Sequence, residues 1–112
     1  MKKIEAIIKP FKLEEVKAVL TDLGILGMTV IEVQGYQSSQ GRSDVFRGGD
    51  YLVDFLPKIK IELVLDDARA DKAVDAIVQS ARTGKVGDGK IFVTQVEEVV
   101  RIRTNERAFA AL

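Results

Sequence analysis

The stretch Lys58-Ile59-Lys60-Ile61-Glu62-Leu63-Val64-Leu65 runs directly into Asp66-Asp67, and this junction decides the fold. Ile59, Ile61, Leu63 and Leu65 alternate with Lys58, Lys60, Glu62 and Val64, the two-residue period of a strand with one buried face. Asp66 and Asp67 then put a capping oxygen and negative charge where a helix starts. Beyond them Ala73, Val74, Ile77, Val78 and Ala81 recur at three- and four-residue steps, the stripe of an amphipathic helix. Arg82 suits the C-terminal end of that helix and Gly84 its stop.

The same strand-to-helix change occurs nearer the N-terminus. In Lys3 to Lys9, Ile4, Ala6 and Ile8 face one way and Glu5 and Ile7 the other; Pro10 ends the strand. From Phe11 on, Leu13, Val16, Leu20 and Leu23 keep helical spacing up to Gly24. Met28 to Tyr36, rich in β-branched residues, predicts a second strand. Ile91 to Val96, continued by Val99 to Arg103, predicts a fourth, and the tail from Thr104 to Leu112 has no clear period.

The order β-α-β-β-α-β predicts an α+β fold, the ferredoxin-like βαββαβ arrangement of one antiparallel sheet with two helices on one face. Ile7, Val30 and Val64 are then expected on the uncovered face. Either another copy of the chain packs there, or these are scattered exposed apolar residues of the ordinary kind.

With 112 residues, 46% hydrophobic and 30% charged, the chain is long enough for a single domain, 1–112, with a modest core. Seventeen basic residues balance seventeen acidic ones, so no net field draws the chain to nucleic acid or an anionic membrane, and any anion site must be built locally. Cysteine and histidine are absent, which removes disulfides, thiol nucleophiles and the commonest general base and transition-metal ligand. No secretory leader or apolar run of spanning length is read, so a cytoplasmic protein is expected.

Residues 37–55 keep neither period, and Pro57 is expected to close the segment. A connection this long inside a small domain is a functional segment or a disordered one. The other irregular stretch is Thr83-Gly84-Lys85-Val86-Gly87-Asp88-Gly89-Lys90. Gly84 to Lys90 formally matches the spacing of a phosphate-binding loop, with glycines that let amides approach phosphate oxygens and two lysines that add charge. Ile91 and a strand follow where that motif needs Ser or Thr and a helix, so it is no P-loop ATPase. The stretch is either an anion cradle or a plain helix-to-strand connector. Arg101 and Arg103, two apart on an extended strand, are expected to point to one side and meet a polyphosphate together; the alternative is solvated edge charge.

Several stretches resemble the PII nitrogen-regulatory proteins: Met1 to Leu13, Gly27-Met28-Thr29-Val30, Tyr51 to Lys58, Ala81 to Val93, and Arg101-Ile102-Arg103-Thr104. The resemblance runs end to end. It implies a homotrimer with ATP or ADP, with magnesium alongside ATP, in clefts between neighbours. By position it implies Thr29 and Val64 by the base and Glu62 in the cleft wall. Gly87, Asp88, Gly89 and Lys90 would wrap the phosphates, with Arg101 and Arg103 as a clamp and Gly35 and Tyr36 at the root of a signalling T-loop, 37–55. Residues 82–90 would be the nucleotide-binding B-loop and 101–112 a C-terminal loop and tail. Gly41 and Lys58 would serve 2-oxoglutarate, and Tyr51 would accept a uridylyl group.

The chain departs from the family pattern at Gln37-Ser38-Ser39, where Gly-Arg-Gln is usual; serine is too short to reach a terminal phosphate or help hold magnesium in place of the longer side chains. Nucleotide binding is therefore expected more firmly than 2-oxoglutarate sensing. The resemblance implies a non-enzymatic regulator acting on protein targets such as an ammonium transporter, glutamine-synthetase regulators or N-acetylglutamate kinase, near a membrane only through a transporter. The alternatives are a sensor of a different metabolite, a slow ATP-hydrolysing or acyl-phosphate-hydrolysing enzyme on the same fold, and a purely structural oligomer.

Overall fold

The computed structural model describes residues 1–36 and 55–112. Its elements are β1 (Lys2–Ile8), α1 (Leu13–Asp22), β2 (Thr29–Tyr36), β3 (Phe55–Leu65), α2 (Asp67–Ala81) and β4 (Lys90–Gln95), with short 3-10 turns at Pro10–Lys12 and Ala108–Ala111. The sheet is antiparallel throughout, in the order β2-β3-β1-β4. This is the expected ferredoxin-like arrangement. The two central strands, β1 and β3, carry the cleanest alternation in the sequence because each has a neighbour on both sides and a helix layer on one face.

That alternation becomes a core. Ile4, Ala6 and Ile8 of β1 and Ile59, Ile61, Leu63 and Leu65 of β3 are buried against Val16 and Leu20 of α1 and Ala70, Ala73, Ile77 and Ala81 of α2. Each fully buried Ile or Leu contributes about 1.5–3 kcal/mol relative to exposure. Alanines at three positions of the α2 stripe let that helix lie close to the sheet.

Both helices end as their sequences require. Asp66 accepts a hydrogen bond from the Arg69 N–H at 2.9 Å, capping α2. At the end of α1, Gly24 adopts φ +80°, its N–H donates to the Thr21 carbonyl and the Ile25 N–H to the Leu20 carbonyl. This is a Schellman stop, closed by contact between buried Leu20 and Ile25. Leu23, expected in the buried stripe, lies at the helix end and is exposed.

Three further expectations are corrected. Val30 pairs with Ile61, so it lies on the helix-covered side, not the open face with Ile7 and Val64; it stays exposed because β2 is an edge strand that the helices do not cover. Pro57 does not close a loop but sits within β3, opposite Gln34, on a part of the strand that β1 does not flank. A proline is tolerated there because one side of the strand needs no donor. Finally, Val99 to Arg103 is not a strand. Only Val100 forms an isolated bridge, to Arg107, and the chain reverses between them, with the Arg101 N–H donating to the Glu106 carbonyl and the Asn105 N–H to the Arg101 carbonyl.

Candidate functional site

The register sorts the open face of the sheet residue by residue. Thr29 pairs with Glu62, Lys3 with Val64, Ile7 with Lys60, Ile7 with Lys90 and Val33 with Lys58, so all of these side chains share the side away from the helices. In its middle, Lys3 and Lys60 reach Glu62 at 3.6 and 3.5 Å and also flank Glu5 at 3.5 and 3.8 Å. Four half-covered charges of alternating sign thus neutralise one another, and Glu62 is held within that group.

At the end of the face beyond Ile8, the loop after α2 folds against the sheet. Gly84, Gly87 and Gly89 adopt φ of +83°, +95° and +104°. At Gly89 the fit is closest: a Cβ there would lie 1.7 Å from the Ile7 carbonyl oxygen. Only glycine lets the loop approach β1 so nearly. Asp88 organises the turn. One carboxylate oxygen accepts the Thr83 and Gly84 N–H groups, each at 2.9 Å, and the other accepts the Thr83 hydroxyl and lies 3.2 Å from Lys9 Nζ. The Thr83 hydroxyl, then the Thr83 and Gly84 N–H groups and Lys9, hold the Asp88 carboxyl well below the usual carboxylate range, against a smaller upward push from desolvation.

Two more lysines complete the neighbourhood. Lys58 Nζ donates to the Gly87 carbonyl, and its stem passes Gly35, where a Cβ would stand 3.2 Å from Lys58 Cγ. Lys90 opens β4 on the same face as Ile7. Among the described residues, the N–H groups of Val86, Gly87 and Gly89 have no acceptor, while Val86-Gly87 form a turn that directs the Asp88 N–H towards the Lys85 carbonyl. Uncommitted amides on glycine-shaped backbone, with three lysines around them, form a local anion cradle in a chain without net charge. A groove of about 520 Å³ beside the loop is lined by apolar residues of β1, α2 and β4, among them Ile8, Val74, Ile77 and Ile91, together with Arg82, Asp88, Gly89 and Lys90.

The structure brings together Gly35, Lys58, Gly87, Asp88, Gly89 and Lys90. Thr29, Glu62 and Val64 share the face but lie farther along it; four residues of strand separate Glu62 from Lys58, about 13 Å. Tyr36 stacks on Phe55 at 5.3 Å where β2 and β3 run on past β1. Arg101 and Arg103 do not sit side by side on a strand. Arg101 reaches the Glu106 carboxylate at 3.2 Å and the Leu112 carbonyl at 3.1 Å, and among the described residues neither arginine bonds to the cradle of its own chain. Gly41, Tyr51 and Gln37-Ser38-Ser39 lie outside the described residues.

Sequence reasoning gave Lys9 and Thr83 no role. Thr83 opens the glycine-rich stretch and was passed over as its flank. Lys9 continues the series Lys3, Glu5, Ile7 on the open face, and that parity was the available signal.

The described residues form a four-stranded ferredoxin-like domain with a glycine- and lysine-rich loop folded against one end of its sheet. Comparison with known proteins gives its class. The sequence model described as Nitrogen regulatory protein P-II matches residues 1–106. The chain is 58% identical to the nitrogen regulatory protein P-II of Azospirillum brasilense and 56% identical to that of Rhodospirillum rubrum, each over 112 residues and the whole of both chains. It is 55% identical, also over the whole of both chains, to nitrogen regulatory protein P-II 1 of Escherichia coli strain K12. The chain belongs to the nitrogen regulatory protein P-II family.

Proposed function

We propose that this chain is a non-enzymatic signalling subunit of nitrogen metabolism that assembles as a homotrimer and takes ATP or ADP in the clefts between neighbours. Membership of the P-II family supports the regulatory role. The observation that carries the ligand reading is the Gly84–Lys90 cradle with its uncommitted amides and lysines.

Its placement supports a site shared between subunits. The uncovered sheet face leaves Phe92 and Ile31 exposed and the C-terminal turn leaves Ile102 99% exposed, apolar side chains that a neighbouring subunit would cover. Measured along the strands, Thr29 and Glu62 stand about 13 Å and Val64 about 20 Å from Lys58, and the nearer pair lies at a separation of the order of that between base and terminal phosphate in an extended nucleotide. Among the described residues, neither Arg101 nor Arg103 bonds to the loop of its own chain, and in an assembly they would serve a neighbour's, Arg101 by exchanging its Glu106 and Leu112 contacts.

Nucleotide state is read out through residues 37–55, with Gly35 and Tyr36 at their root, on cytoplasmic protein targets of the kind named above. Tyr51 is the residue for uridylylation. Among the described residues no helix is long and apolar enough to cross a membrane, and membrane contact is through a transporter. Magnesium would accompany ATP, and Lys58 with Gly41 would take 2-oxoglutarate. The substitution Gln37-Ser38-Ser39 favours a second reading, in which ATP and ADP alone, or another metabolite, set the state. Calorimetry with ATP, ADP and 2-oxoglutarate, with and without magnesium, separates these, with sedimentation for the trimer. Absence of nucleotide heat at millimolar ligand rejects the proposal, and tight magnesium-dependent 2-oxoglutarate binding rejects the second reading. Turnover of several ATP per second, lost in Lys90→Ala, establishes an enzyme instead.

A further inference from the structure

A carboxylate within an anion cradle is an electrostatic contradiction, and the geometry around Asp88 resolves it. Four donors converge on its two oxygens: the Thr83 and Gly84 N–H groups at 2.9 Å each, the Thr83 hydroxyl, and Lys9 Nζ at 3.2 Å. The Thr83 oxygen in turn accepts Lys9 Nζ at 3.1 Å and the Lys85 N–H at 3.2 Å. The circuit ties the two ends of the loop, residues 83 and 88, to each other and to the end of β1. From the opposite side Lys58 holds the Gly87 carbonyl. Lys9 offsets the carboxylate charge, and the carboxylate's hydrogen-bonding capacity is filled by the loop itself.

We propose that Asp88 is a positioning residue: with Thr83 and Lys9 it fixes the backbone shape in which the uncommitted Val86, Gly87 and Gly89 amides meet a polyphosphate, and it makes no contact with the ligand itself. The proposal rests on the nucleotide reading above and deepens it. It assigns Lys9 a role as Asp88's countercharge and Thr83 a role as the relay between them. Preorganised amides bind an anion without first reorganising, so loosening the circuit weakens binding even though no ligand contact is removed.

The sign of one substitution separates this from a carboxylate that merely lines the site. Asp88→Asn removes a negative charge beside the phosphates. If Asp88 only lines the cradle, ATP binds more tightly. If it holds the cradle, the Asn side chain, with one acceptor oxygen, cannot serve four donors, and ATP affinity falls about tenfold or more by calorimetry on the full chain. Amide hydrogen exchange gives an arm that needs no nucleotide: the Thr83 and Gly84 amides exchange at least about tenfold faster in Asp88→Asn, with the β1 and β3 amides unchanged. Tighter or unchanged ATP binding, or unchanged exchange at those two amides, overturns the proposal. A parent protein that gives no nucleotide heat rejects the nucleotide reading instead, and the exchange arm still decides whether Asp88 fixes the loop. Should Asp88→Asn lose its melting transition, Thr83→Val decides: it breaks the relay and keeps the fold, and weakens ATP binding several-fold, while Thr83→Ser restores it. Equal affinities for Thr83→Val and the parent overturn the proposal.

Discussion

Replacing Gly89 with alanine should be among the most damaging single-methyl additions available to this chain. The new Cβ would stand 1.7 Å from the Ile7 carbonyl oxygen, and to reach even 3.0 Å, a separation below which real Cβ atoms are essentially never found, the two backbones must part by 1.3 Å. Ile7 cannot readily yield, because it is paired on one side with Lys60 and on the other with Lys90. The loop must give instead, and it must do so while alanine is held at φ +104°. Left-handed strain for an L-residue costs about 1–2 kcal/mol. Lifting the loop also weakens its packing and hydrogen bonding against β1, so the expected total is about 3 kcal/mol, or roughly a 10 °C fall in Tm for a domain of this size. Two companions calibrate that figure. Gly84 has φ +83° but open space around it, so Gly84→Ala should show the strain alone, about 1 kcal/mol. Gly27 has neither strain nor a near neighbour, so Gly27→Ala should be neutral or raise Tm slightly by stiffening the unfolded chain. Thermal unfolding followed by circular dichroism, at equal protomer concentration because assembly shifts Tm, reads all three. Gly89→Ala melting within about 2 °C of the parent would refute the close approach.

Other outcomes follow from the same structure. Ile61→Ala empties a fully buried site between the sheet and the helices and should cost about 2–5 kcal/mol in denaturant titration, with an unchanged m-value. Asp66→Ala removes the α2 cap and should cost about 1 kcal/mol, most of it recovered in Asp66→Ser. The folded Asp88 carboxyl titrates below its ordinary value of 3.8, so acid protonates it in the unfolded chain first. Its contribution to stability is therefore complete above that value and is lost as pH falls through it towards the folded one. The difference in Tm between the parent and Asp88→Asn should shrink between about pH 5 and about pH 3, and a difference that grows on acidification would contradict the assignment.

The sequence disclosed those parts of the fold in which local pattern and tertiary environment agree. In β3, alternation, a covered face and two flanking strands all impose the same period, and every expected inward residue is buried. The Gly24 stop was equally legible, since a left-handed cap has few residues to choose from. Val30 shows where pattern fails. In a strand with β-branched residues on both faces, composition cannot tell which side is which, and only the pairing with Ile61 fixes it. Val99 and Val100 have strand propensity but, among the described residues, no named strand beside them, and the chain turns through Asn105 at φ +60°. In the Gly84–Lys90 loop, glycines and lysines suggest an anion, but the bonding of Asp88 is hidden in the sequence. A loop carboxylate reads as a ligand contact until its oxygens are found to be occupied by the loop's own amides.

β3 outruns β1 at its N-terminal end, and from Phe55 to Lys58 it is braced by β2 alone. The pair forms a short two-stranded ribbon whose far end carries the Tyr36–Phe55 ring pair and whose near end is pinned by Lys58 to the Gly87 carbonyl. Such a ribbon has the geometry of a lever hinged at Lys58. Three residues of strand make an arm of about 10 Å, so a rocking of roughly 10° at Lys58 would carry the aromatic end by roughly 2 Å.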